Sequence, residues 1–192
     1  MVRKRLNPKD RKREILNAGM EVFKKKGFVH TTMEDIIENT TLSKGGVYYY
    51  YKSTTNILHD LMYLGMEYRM NIIKSTLNNL SQKDNITFLA EQIFEKIVDD
   101  NPYMDIYVQF LIAKKSSEKL ENLFLELKER NREVFKSTFE NVPDVFIKDS
   151  SYDLVTDFIN SMIMGSEILN ARDTIRKNKD LFVESIKILL KG

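Results

Sequence analysis

The chain has 192 residues, 30 Lys/Arg against 28 Asp/Glu, two histidines and no cysteine. That length buries a real core without staples. The missing cysteines exclude disulfides, thiol nucleophiles and thiolate metal sites. They are compatible with a reducing cytoplasm, where the protein is expected. No apolar run approaches the roughly 18 residues of a spanning helix, so no membrane association is expected. The basic N-terminus lacks the apolar stretch of a secretory signal. Charge is unevenly placed: residues 1–52 carry a net +6 and residues 53–192 a net −4. A basic third on an acidic body suits a segment that meets a polyanion.

Periodicity is helical almost throughout. Ile15, Ala18, Gly19, Val22 and Phe23 share one face of a helix predicted from Lys9 to Lys26. Gly27 stops it, as a residue suited to a left-handed C′ position, and Lys24, Lys25 and Lys26 complement its negative end. Thr32 with Asp35 forms a capping-box-like start for a short helix carrying Met33, Ile36 and Ile37 and ending near Asn39. Thr40-Thr41-Leu42 is a tight connection. Ser43 caps the next helix, Lys44 to Tyr51. Two short helices joined by so short a turn make a helix-turn-helix.

The second helix of that pair has a groove reader's chemistry. Gly45 and Gly46 each cost about 1 kcal/mol against alanine in a helix, so packing alone explains them poorly. Without side chains they let a positive helix terminus approach phosphates and base edges. Lys44 can reach a phosphate or a guanine edge. Tyr48, Tyr49 and Tyr50 offer hydroxyls and ring faces, while Val47 and Tyr51, four apart, are the better core pair. An aromatic run usually means core packing; behind two glycines in the basic third, it favours DNA.

A long helix follows, from about Thr55 to Leu80, with Leu58, Leu61, Met62, Gly65, Tyr68, Ile72 and Ile73 inward. Ser81 to Asp84 is a polar break. Ile86, Leu89, Ala90, Ile93, Phe94 and Ile97 mark a fifth helix. Asn101-Pro102 reads as cap and first turn of a sixth, with Tyr103, Ile106, Tyr107, Phe110 and Leu111 on one face. A seventh, from Leu120 to Phe139, ends at Pro143. Two more run from Ser150 to Arg172 and from Lys179 to Leu190. The fold class is therefore all-α, with about nine helices: residues 1–54 as the reading domain and 55–192 as a larger bundle.

Gly27-Phe28, Thr31-Thr32, Ile36 and the run Leu42-Ser43-Lys44-Gly45-Gly46-Val47-Tyr48-Tyr49-Tyr50-Tyr51-Lys52-Ser53 resemble the N-terminal domain of TetR-family repressors. The likeness covers residues 9–60; beyond it the chain is similar only in length and helicity. It implies three DNA-binding helices, the third being the recognition helix, and a C-terminal bundle that binds a small ligand and forms a homodimer. It implies DNA contacts at Ser43, Lys44, Gly45, Gly46, Tyr48, Tyr49 and Tyr50. Phosphate contacts are implied near Thr32 and at the start of the fourth helix, at Thr54, where a lysine is frequent; Lys52 can substitute. Thr41 stands where the family often has glycine, so a left-handed residue there would be strained.

An enzyme is the competing class. His30 and His59 are the only histidines, and neither has a carboxylate or second histidine at ligand or base spacing. No P-loop or nucleophile elbow is present, and no cofactor or metal is expected. A helical interaction module would explain the apolar stripes but not the basic Gly-Gly-Tyr helix. In the bundle, Phe88, Phe94, Tyr103, Met104, Tyr107, Phe110 and Met162 are candidate walls for a largely apolar effector. Leu154, Phe158, Ser161, Met162, Gly165, Phe182, Ile186 and Leu189 are candidates for the face between two copies.

Overall fold

The structure, a computed structural model, describes residues 7–77, 85–138 and 149–191. Among them are helices α1 (Pro8–Lys26), α2 (Met33–Glu38), α3 (Lys44–Tyr50), α4 (Thr54–Leu77), α5 (Asn85–Ile97), α6 (Met104–Ala113), α7 (Glu118–Thr138), α8 (Asp149–Ile168), α9 (Arg172–Lys177) and α10 (Lys179–Lys191), with no strand. Short 3-10 turns span Phe28–His30 and Lys114–Ser116. The expected polar break at Ser81–Asp84 and the stop at Pro143 lie outside the described residues.

These residues form two compact units, 7–65 with 102–124, and 66–101 with 125–191. In the first, α1 buries Ile15, Leu16, Ala18, Val22 and Phe23. Its stop is as expected: Gly27 has φ 82° and its N–H donates to the Phe23 carbonyl at 2.8 Å. Gly19 lets α1 and α4 cross closely, because a Cβ there would stand 2.6 Å from Ile57 Cγ2. Gly65 plays the same part against Tyr103. Helix α6 packs on α1 and on the Phe28–His30 turn. The Gln109 amide makes that contact polar on both sides: its Oε1 accepts from the Phe28 N–H at 2.7 Å, and its Nε2 donates to the Phe23 carbonyl at 3.2 Å.

In the second unit α5 packs on α10 and α8. Its apolar face, Phe88, Leu89, Ala90, Ile93, Phe94 and Ile97, is almost wholly buried. Lys179 pairs with Glu95 at 2.7 Å, and Arg176 donates to the Val98 carbonyl at 2.8 Å, fixing the end of α5 to α9 and α10. The Tyr152 hydroxyl donates to the Lys128 carbonyl of α7 at 2.9 Å.

Two expectations are corrected, and the strain that a left-handed Thr41 would carry does not arise. The eighth helix does not reach Arg172. Asn170 takes a left-handed φ of 51°, and the Ala171 N–H donates back to the Ser166 carbonyl at 3.1 Å. This ends α8 with an asparagine at C′ and makes α9 separate. The sixth helix starts at Met104, not Pro102; Asn101 spends its side chain on Asp99 at 3.0 Å and Tyr103 gives no side-chain cap. Thr41 is not left-handed, since only Gly27 and Asn170 have positive φ among the described residues. The Thr41 N–H instead donates to Glu14 Oε1 at 2.5 Å, and Thr40 accepts from the Leu42 N–H.

Candidate nucleic-acid interface

Local capping sets the geometry of α2 and α3. Thr32 Oγ1 accepts from the Asp35 N–H, and Asp35 Oδ2 accepts from the Thr32 N–H, a complete capping box for α2. Lys26 Nζ donates to Asp35 Oδ1 at 2.6 Å, tying the end of α1 to the start of α2. Lys26, followed by the Thr32 bonds, holds the Asp35 carboxyl down to about 2. Ser43 Oγ accepts from the Gly46 N–H at 3.2 Å and starts α3. The Ser53 hydroxyl caps α4, accepting from the Asn56 N–H, so α4 begins one residue before the expected Thr55.

Helix α3 has a buried side and an open side. Val47 and Tyr51 are buried, as their spacing predicts. The Tyr51 hydroxyl donates to Asp60 Oδ2 at 2.7 Å, and Lys12 Nζ reaches the same oxygen at 3.2 Å. Burial first, then the Asp60 carboxylate, pushes the Tyr51 phenol well above the ordinary tyrosine value. Burial works against the Asp60 charge, but hydrogen bonds from Tyr51, His59 and Lys12 hold its carboxyl below the usual range. His59 Nδ1 lies 3.3 Å from Asp60 Oδ1, which corrects the expectation that neither histidine has a carboxylate neighbour. With Tyr51 and Lys12 on the same carboxylate, the cluster joins α1, α3 and α4 rather than forming an open acid–base pair.

On the open side, Ser43, Lys44, Gly45, Tyr49 and Lys52 are exposed, and Gly46, Tyr48, Tyr50 and Thr54 are half-buried. Tyr49, 75% exposed, stacks edge-on against Tyr50 at 5.0 Å. Thr32 is exposed, but its hydroxyl is committed to the cap. Lys52 Nζ donates to the Tyr48 carbonyl at the end of α3. The two glycines differ. A Cβ at Gly46 would press on Ser43 Oγ at 3.3 Å, so the cap itself explains that glycine. A Cβ at Gly45 would meet nothing within 4 Å. Gly45 therefore has no packing reason inside the chain, and its bare backbone faces outward at a helix N-terminus.

Glu34 joins this open side without any signal in the sequence spacing. Its Oε1 accepts from Lys44 Nζ at 3.0 Å, and the same ammonium lies 5.9 Å over the Tyr48 ring. Lys44's hydrogen bond holds the Glu34 carboxyl below its ordinary value, and Glu34 holds the Lys44 ammonium above its own. Only the turn between α2 and α3, which spacing does not describe, brings residues ten apart into contact.

The candidates beyond the reader are dispersed. Phe88, Phe94 and Met162 belong to the second unit; Tyr103, Met104, Tyr107 and Phe110 belong to the first. Phe88, Phe94, Met104 and Phe110 are buried, while Tyr103, Tyr107 and Met162 are half-buried. Ile186, expected at a face between copies, is corrected: it is 1% exposed, in the core that α10 shares with α5. Leu181 at 66% and Ile188 at 71% hold the outer stripe of α10 instead. Leu154 at 58% and Ser161 are exposed, Phe158, Gly165, Phe182 and Leu189 half-buried, and a Cβ at Gly165 would meet nothing within 4 Å. Among the described residues no His/Asp/Glu group could hold a metal ion, and no helix is long and apolar enough to cross a membrane.

Comparison with known proteins agrees with this geometry. The uncharacterized HTH-type transcriptional regulator YfiR of Bacillus subtilis is 33% identical over 89 residues, 46% of this chain and 43% of YfiR. IcaR of Staphylococcus aureus, the HTH-type negative transcriptional regulator of the biofilm operon icaADBC, is 24% identical over 183 residues, 93% of this chain and 96% of IcaR. A TetR-family transcriptional regulator structure from Syntrophomonas wolfei shares the fold with a TM-score of 0.74 at 20% identity, over 97% of both chains. Residues 15–61, which hold the capping box, α3 and the Tyr51–Asp60 bond, match the family model of bacterial regulatory proteins of the tetR family. The chain thus carries an N-terminal domain of the tetR family of bacterial regulatory proteins, on a fold shared with a TetR-family regulator.

Proposed function

We propose that this regulator is a repressor that binds a near-palindromic operator as a two-fold homodimer, and that a small, largely apolar molecule releases it. The observation that carries the DNA reading is the open side of α3, where Lys44 and bare Gly45 at an N-capped helix start share one short helix with exposed Tyr49. In it, Lys44, Gly45, Tyr48, Tyr49 and Tyr50 meet the major groove, and Thr32, Lys52 and Thr54 lie toward the phosphates. IcaR's description as a negative regulator supports repression.

One seven-residue helix reads too few base pairs for useful specificity, so a second copy is required. Leu154, Phe158, Ser161, Gly165 and Ile168 repeat on α8 at steps of four and three, an exposed to half-exposed seam. Leu181 and Ile188 on α10 add a second stripe, and small Ser161 and Gly165 permit close helix approach. The two readers then sit 34–36 Å apart, or a multiple of it. The half-buried aromatic surface of Tyr103 and Tyr107 on the α6 side suits an apolar effector, which must favour the conformation that does not bind DNA. The division of labour is residues 1–54 for DNA and 55–192 for effector and partner. Selection of duplexes from a random pool tests the proposal: two-fold symmetric enriched sites support it, and asymmetric or no enrichment overturns it.

A further inference from the structure

We propose that Glu34 is a specificity-determining residue of the DNA interface, acting through Lys44 by denying its ammonium to phosphates while leaving it free for a base edge. The inference rests on the reading of α3 as the DNA-contacting helix. Glu34 stands in the first turn of α2 and Lys44 at the first position of α3. Both are exposed, and they are joined at 3.0 Å. Lys44 Nζ also sits over the Tyr48 ring. A lysine ammonium is ordinarily a mobile point charge that takes whichever phosphate is near. Here a carboxylate and an aromatic face define one seat for it.

That seat makes two kinds of contact unequal. If the seated ammonium approached a phosphate, Glu34 would be carried to within a few ångströms of the same anion, and its repulsion would cancel much of the gain. A base edge on the groove floor is an uncharged acceptor, so the remaining ammonium donors reach guanine O6 or N7 without that cost. Phosphate contacts carry no sequence information, whereas base contacts do. Glu34 therefore gives up part of the sequence-blind affinity and keeps the sequence-dependent part, a selectivity gained through repulsion. Gly45, beside Lys44 and without a Cβ, leaves the approach to the base edge open.

The test uses the full chain, a duplex that the wild type enriches from a random pool, and a scrambled duplex of equal composition. Affinities are measured across a salt series. Glu34→Gln should bind the scrambled duplex roughly 3–10-fold tighter, with a log–log salt slope steeper by about one. Its discrimination between the two duplexes should narrow by a similar factor. In a Lys44→Ala background the same substitution should change nothing further. Glu38→Gln, which removes the same charge from an exposed position on the same helix, should leave discrimination within about twofold, since it lacks the pairing. Unchanged discrimination in Glu34→Gln overturns the inference. So does equal narrowing in Glu38→Gln, or an effect that persists without Lys44. A wild type that enriches no duplex overturns the DNA reading and this inference together, a result separable from the others because it appears before any variant is made.

Discussion

The Tyr51 hydroxyl donates to Asp60 Oδ2 at 2.7 Å, joining the C-terminal end of α3 to α4. The bond is made on the buried side of α3, and Lys12 and His59 converge on the same carboxylate. Tyr51→Phe removes the donor but keeps the ring in its apolar seat. Loss of a hydrogen bond to a partly buried charged group is expected to cost about 1–2 kcal/mol, read as a lower urea midpoint. The open face of α3 is untouched, so DNA affinity measured well below the melting temperature should stay within about twofold.

Acid should loosen the same unit. The folded-state carboxyls of Asp35, held to about 2, and of Asp60 both lie below the value of an unstructured aspartate. The unfolded chain therefore takes up protons first as pH falls. Their stabilisation is complete above about pH 5, falls through the unfolded pKa near 4, and is lost once pH passes below the folded values. Thermal melts between pH 6 and pH 2 check this. Asp60→Asn should flatten the dependence, and an equally steep loss in that variant would assign the effect to other carboxylates.

Gly45 separates function from stability. With no atom within 4 Å of the position its Cβ would take, Gly45→Ala should raise stability by several tenths to about 1 kcal/mol. If the open side of α3 meets DNA as proposed, the same methyl group should weaken binding to a selected duplex by about tenfold or more. Gly46→Ala should bring no such gain, because its Cβ presses on the Ser43 cap. Calorimetry and binding isotherms on the same preparations decide both.

Most of the all-α pattern was legible from apolar spacing, because long amphipathic helices announce themselves at i, i+3, i+4. The α3 segment was legible because its cap, glycines and tyrosines are consecutive. What was not legible depended on contacts distant in sequence or on one backbone angle. Asn170 ended α8 through a left-handed turn that spacing does not reveal. Gln109 and the α1 end meet across more than 80 residues. Helix α10 carries two apolar stripes, and periodicity alone does not say that Ile186 takes the chain's own core while Ile188 stays outside.

That last difference gives a direct test of the homodimer. Ile186→Glu buries a carboxylate in a packed core and should prevent folding. Ile188→Glu and Leu154→Glu place charges on an outer surface and should leave helicity and melting of the monomer intact. Sedimentation at micromolar concentration should show wild type as a dimer and the latter two variants as folded monomers. A monomeric wild type would remove the two-fold account.

Footprinting of a selected duplex with matched variants tests whether the open side of α3 reads DNA. Wild type should protect two half-sites one helical turn apart, or a multiple of it. Lys44→Ala and Tyr49→Ala, both exposed and outside the core, should retain wild-type helicity while losing roughly tenfold or more in affinity at those half-sites. Full protection by both folded variants at the wild-type concentration would mean that the open side of α3 does not read DNA.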